Sequence, residues 1–158
     1  MSDESPVDAF KSLLAGASRA IAHDPEVEVS WTADAPSASG NNFRVTMPGR
    51  GLSADNAMLA RGTADSFALK LRHHNEALHA RHAPADPLAR ACFDAVERVR
   101  YEALGANDYA GIRSNLDAST AARMASDPIA RAASASDVPL QTALALMLRE
   151  HLTGQPVP

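Results

Sequence analysis

The chain has 158 residues, 33 of them alanine and only seven aromatic, with a formal net charge of −4, six histidines and one cysteine. That length holds one compact domain with a real core, while the mildly acidic balance gives no general electrostatic case for nucleic-acid binding. Lone Cys92 excludes an internal disulfide, and no apolar run reaches the length of a membrane span.

The opening MSDESPVDAF lacks the basic and apolar regions of a signal peptide, so cytoplasm is the expected location. Pro6 and Val7 lead into a helix with Phe10, Leu13, Leu14, Ala17 and Ile21 on one face, ending near Asp24-Pro25. Residues 26–31 then alternate in period two and predict a strand with Val27, Val29 and Trp31 on one side. Residues 32–42, rich in Ala, Ser, Asp, Gly and Asn, predict an exposed loop. Residues 43–47 predict a second strand, stopped by Pro48-Gly49. An antiparallel two-stranded hairpin resting on helices is the economical pairing.

Ser53 suits the N-cap of the next helix, whose apolar positions include Ala57, Ala60, Ala64, Phe67, Ala68 and Leu71. Gly62 inside that pattern marks a close crossing or a break. A short helix follows from Glu76 to Arg81, ended at Ala83-Pro84.

The stretch that organises the chain is Pro87 to about Asn107. Leu88, Ala91, Cys92, Ala95, Val96, Val99, Ala103 and Leu104 form one stripe at helical spacing. Asp86 suits its N-cap, Pro87 its first position, and Gly105 or Asn107 its exit. Asp94–Arg98 and Arg98–Glu102 stand one turn apart, as ion pairs do on a helix. A further helix starts near Asp108, with Tyr109, Ile112 and Leu116 inward, and residues 117–137 predict fragmentary structure broken by Pro128. The last helix runs from about Pro139 to Leu152, with Leu140, Ala143, Leu144, Met147 and Leu148 inward and Asp137 as its cap. The expected fold is mainly α with a small antiparallel β-hairpin: several helices packed around the long central one. One assembly domain is expected over 1–154, with 155–158 starting a linker. Alanine-rich helices contribute little apolar area each, so they need neighbours within a larger protein or a homo-oligomer.

The chemical signals are sparse. His73, His74, His79 and His82 lie within ten positions, yet they form no HExxH motif, and surface or partner-facing roles explain them without a metal. His23 and His151 sit near helix ends, where the dipole favours them. The acidic residues Asp55, Asp65, Glu97 and Glu102 form no compelling acid–base pair, and no G-x-S-x-G elbow is present. Gly40-Asn41-Asn42 and Gly49-Arg50-Gly51 are turns and not phosphate loops. Trp31 and Phe43 fit core packing better than a recognition surface with Arg44. Arg61 and Asp65 are spaced to pair on a helix surface, and the Gly105–Gly111 junction is a structural turn or a partner-facing corner. No catalytic, cofactor-binding or metal-ligating residue is assigned.

Four blocks in series carry a resemblance: FKSLLAGASRAIAHDPEVEVSW, ARGTADSFALKLRHH, ARACFDAVERVRYEALGANDYAGIRSNL and LQTALALMLREHLTGQ. Their order and spacing resemble the amino-terminal part of the T subunit of aerobic cobaltochelatase, the CobT family, over most of the chain. The matching positions are Arg61, Gly62, Ala64 and Asp65 in one run, then Arg100, Glu102, Ala103, Gly105, Ala106, Gly111, Asn115 and Leu116. The resemblance implies a truncated, non-catalytic assembly and coupling domain. Its parent complex would be a ligase inserting cobalt into hydrogenobyrinic acid a,c-diamide in aerobic cobalamin biosynthesis. The implied partners are an AAA+ ATPase subunit and a large tetrapyrrole-binding subunit, with no nucleic acid and no membrane. ATP, magnesium and cobalt would belong to that complex, because this chain carries neither a Walker A loop nor the D-x-S-x-S motif of the family's carboxy-terminal domain. The competing expectations are a cobalt-handling domain using His73, His74, His79 or His82, and a small stand-alone hydrolase.

Overall fold

The computed structural model describes residues 5–158, and the acidic opening with Asp3 and Glu4 lies outside the described residues. The fold is mainly α. Helix α1 spans Pro6–Ala22, α2 Ala54–His73, α3 Glu76–His82, α4 Pro87–Asp108, α5 Ala110–Ser126 and α6 Leu140–Thr153. Strands β1 (Glu28–Thr32), β2 (Ser37–Ser39) and β3 (Asn42–Thr46) form one small sheet between α1 and α2 in the chain. Four of the six helix starts among the described residues are set by side-chain caps. Ser5, Ser53, Asn75 and Asp86 each accept a hydrogen bond from a first-turn backbone N–H, which otherwise has no partner.

The sheet order is β1-β3-β2, so the two expected strands pair in parallel, with Val29 opposite Phe43 and Trp31 opposite Val45. The expected hairpin between them is corrected by β2, which lies inside the expected loop. Its presence adds a second chain reversal, and two reversals leave β3 running the same way as β1. The antiparallel hairpin is β2–β3, turned at Gly40 with φ of 56°. Ser37-Ala38-Ser39 is wholly exposed, which is why alternation does not reveal it.

The core sits where this sheet meets α1 and α2. Val27, Phe43 and Val45 are fully buried against Phe10 and Leu14 of α1 and the ladder Ala57, Ala60, Ala64, Ala68 of α2. Small side chains on that face bring the helix close to the sheet. Trp31 packs on Phe10 at 6.3 Å between ring centroids, and Phe43 on Phe67 at 5.7 Å, as core aromatics do. A second cluster joins Leu69 of α2, Tyr101 and Ala106 of α4, and Ile112 and Leu116 of α5.

Helix α4 is the longest and packs against α2, α5 and α6. Its expected exits are corrected: Gly105 lies inside the helix, and Tyr109, in extended conformation, closes it by donating its N–H to the Gly105 carbonyl. The expected fragmentary stretch is helical as far as Ser126, because Ser119 and Thr120 are buried against neighbouring helices. Only beyond Asp127 does it break into two 3-10 turns, Pro128–Arg131 and Ala135–Asp137. Asp137 closes the capping box of the second turn and does not cap α6, which begins after Pro139 without a side-chain cap.

The facing of α6 is the largest correction. Its buried residues are Thr142 and Leu146, whereas Leu140, Leu144 and Met147 are exposed. Polar contacts decide this orientation: Thr142 donates to Asp127 at 3.1 Å, and Arg149 pairs with Asp117 of α5. Asn107 of α4 donates to the Leu152 carbonyl at 3.0 Å.

Candidate docking site

Gly62 sets the crossing that shapes the main groove. A Cβ there would lie 2.3 Å from the Asn115 carbonyl oxygen and 2.7 Å from Ser119 Cβ, so only glycine lets α2 and α5 approach so closely. The same approach brings Asn115 Nδ2 to within 2.8 Å of Asp65 Oδ2, to which it donates. Asp65 is only 4% exposed. Burial pushes its carboxyl up from the ordinary 3.8 to about 6, against the Asn115 hydrogen bond and the nearby Arg61 charge. The expected Arg61–Asp65 surface pair is not how Arg61 is placed: its guanidinium lies over the Phe10 ring, 5.4 Å from the centroid.

Above this crossing runs a groove of about 590 Å³. It is lined by Leu13, Ala17 and Ile21 of α1, Asp65 of α2, Tyr109 at the α4–α5 junction, and Ile112 and Asn115 of α5. Arg61 and Arg72 stand at its margins as exposed cations. Leu13 is 73% exposed and Tyr109 56%, so two residues expected to face the core face the groove instead. The reason is packing phase. Helix α1 buries Phe10, Leu14, Ser18 and Ala22, a strict i+4 row in which serine and alanine fit under the sheet, and Leu13 is rotated out of it. Serine is tolerated there because Ser18 donates back to the Leu14 carbonyl at 2.9 Å.

A second buried assembly lies between α2, α4 and α5. Glu102 accepts from Ser66 at 2.6 Å and from Arg98 at 2.9 Å, and Arg123 approaches it to 3.9 Å. Burial works to raise the Glu102 carboxyl, but the charges of Arg98 and Arg123 and these hydrogen bonds hold it below its ordinary value. Gly105 lies over Leu69, whose methyl carbons would sit 2.6 Å from an added Cβ. Arg98–Glu102 is therefore the expected ion pair, while Asp94 pairs with Arg90 and His79 in place of Arg98.

The histidines are brought partly together. His74 sets Nδ1 2.7 Å from Glu97 and Nε2 3.1 Å from Glu76, and His79 sets Nε2 2.7 Å from Asp94 while stacking on Phe93. His73 contributes only its carbonyl, which accepts from Arg100 at 2.6 Å, and His82 is exposed in the last turn of α3. Hydrogen bonds from Arg100 and His74 hold Glu97 down at about 2, against its burial. The His79 contacts hold α3, which buries no residue of its own, onto α4, while His74, which closes α2, bridges Glu97 of α4 and Glu76 of α3. Among the described residues no group of three His, Cys, Asp or Glu side chains is placed to hold a metal ion. The expectation of surface roles is corrected for His74 and His79, whose imidazoles are engaged by carboxylates.

Five of the twelve positions carrying the sequence resemblance fall on these crossings: Gly62, Asp65 and Asn115 at the α2–α5 crossing, Glu102 and Gly105 against α2. They are residues that position helices, and the groove is the concave apolar surface they produce. Apolar walls between exposed cations are suited to recognition of another chain. The family model described as cobalamin biosynthesis protein CobT matches residues 4–158. The chain belongs to that family, and its role is in cobalamin biosynthesis. No solved structure matches it. No helix among the described residues is long and apolar enough to cross a membrane.

Proposed function

We propose that this chain is a non-catalytic assembly and coupling domain of an ATP-dependent cobaltochelatase, the complex that inserts cobalt into hydrogenobyrinic acid a,c-diamide. In this reading the groove between α1, α2 and the start of α5 holds an acidic amphipathic helix of the AAA+ ATPase subunit. The observation that carries it is the groove itself. Leu13 and Tyr109 are exposed in a domain whose helix crossings are otherwise tightly made, and they line the groove together with Arg61 and Arg72. An apolar stripe flanked by carboxylates complements that arrangement in shape and sign. Family membership supports the pathway, and in this reading ATP hydrolysis and magnesium binding belong to the ATPase partner. Cobalt is the substrate of the complex and is handled by the large tetrapyrrole-binding subunit.

Coupling demands more than contact. A domain that bound both nucleotide states of the ATPase ring equally would bias neither. The groove must therefore grip one ring state more tightly. The test is to mix the chain separately with the ATPase and large subunits, with and without nucleotide, and measure complex mass. Nucleotide-dependent association with the ATPase subunit is expected. Association with the large subunit alone, or with neither, refutes the reading.

A further inference from the structure

Helix α6 is seated inside out. Its buried side carries Thr142, Leu146 and the Arg149–Asp117 pair, while its apolar stripe points away from the domain. Leu140 is 56% exposed and Met147 69%, with Leu144 between them, and successive steps of four and three place all three on one face. A helix normally turns such a stripe inward, because exposing large apolar side chains forfeits the free energy of burial. Here the polar anchors prevent rotation: turning the stripe inward would break the Asp117–Arg149 and Asp127–Thr142 contacts and bury their polar groups unpaired. The stripe must be satisfied from outside.

We infer that the outer face of α6 is a self-association surface, covered by α6 of a second copy of this chain crossing antiparallel about Leu144. Charge distribution selects this occupant. From Val138 to Leu148 the sequence carries no charged side chain, so two copies meet without like-charge opposition. Antiparallel crossing about Leu144 puts Leu140 of one copy against Leu148 of the other. It also sets the Asp137 end of each helix beside the His151 end of its mate, and the two helix dipoles oppose. The interface is isologous, so it closes at two chains. This surface is separate from the groove, which leaves Leu13 and Arg72 free for another partner in the same assembly. A crossing of two short helices falls at the small end of stable interfaces, so a dimer that dissociates on dilution is expected.

Sedimentation equilibrium of the intact chain from low to high micromolar concentration is the direct experiment. The mass should rise from 16.6 kDa towards twice that value. Leu144→Glu with Met147→Glu should weaken dimerisation by more than about 10-fold, with unchanged circular dichroism, whereas Leu13→Glu should leave it unaltered. In a Cys92→Ala background, Leu144→Cys should form an intermolecular disulfide under mild oxidation faster than Leu13→Cys. A monomeric mass at every concentration overturns the inference. So does a dimer broken by Leu13→Glu and not by the α6 pair, or equal cross-linking of the two cysteine variants.

Discussion

Replacing Asp65 by Asn isolates the one carboxyl that the α2–α5 crossing holds in an unfavourable state. Asp65 is nearly inaccessible, and burial raises it from 3.8 to about 6. Its folded-state value lies above its unfolded one, so the folded domain binds the proton more tightly. Stability from this group is therefore greatest below about pH 4, falls as pH rises through 6, and is flat beyond. At about 1.4 kcal/mol per pH unit, the ionised carboxyl costs about 3 kcal/mol at pH 7.5 relative to its protonated form. The amide oxygen of an Asn side chain can still accept from Asn115, so the crossing keeps its hydrogen bond while losing the charge. Asp65→Asn should accordingly stabilise the domain at pH 7.5 by up to about 3 kcal/mol. Urea unfolding between pH 4 and 7.5 reads both curves, and their difference should open between pH 4 and 6.5 and then stay constant. Parallel curves, or a variant less stable at pH 7.5, would refute the reasoning.

Gly62→Ala should destabilise by about 2 kcal/mol or more in the same assay, because its new methyl meets backbone and not a movable side-chain end. Gly16→Ala in α1 is its control: nothing lies within 4 Å of an added Cβ, and a gain of about 0.5–1 kcal/mol is expected. Glu97→Gln should act with the opposite sign to Asp65→Asn. The Glu97 carboxyl is held near 2, so its stabilisation is present above about 4.5 and lost as pH falls through 2. After discounting for solvent screening, about 1–2 kcal/mol should be lost at pH 7. The fall in stability between pH 4.5 and 2 should also become shallower, as read by acid titration of circular dichroism. Hydrogen exchange at the α2–α3 junction should rise in the same variant, since His74, which closes α2, contacts both Glu97 of α4 and Glu76 of α3.

The starts of α2 and α4 are legible in the sequence because Ser53 and the Asp86-Pro87 pair act within one turn of chain. Gly62 is legible as a close crossing because a glycine inside an apolar helical pattern has few other reasons to be there. What is hidden depends on distant partners. The parallel pairing of β1 and β3 depends on β2, whose three exposed small residues carry no hydrophobic signal. The facing of α6 is decided by Asp117 and Asp127, far earlier in the chain, which hold Arg149 and Thr142 down and leave the apolar stripe outside. The groove is legible only in pieces: Leu13, the Arg61–Asp65 run and the Tyr109 corner each stand out locally. No local pattern says that Gly62 and Asn115 bring them to one place. His79 and Asp94 are likewise ordinary in sequence and become a clasp only when α3 folds back on α4.

The groove is proposed as the surface that holds the ATPase subunit, and the affinity of groove variants for that subunit in each nucleotide state tests this most directly. Leu13→Glu and Arg72→Glu change exposed side chains, so both should fold as the parent does. Each should bind at least about 10-fold more weakly in the favoured nucleotide state. Parent-like binding by both variants, with the nucleotide dependence intact, would contradict the claim.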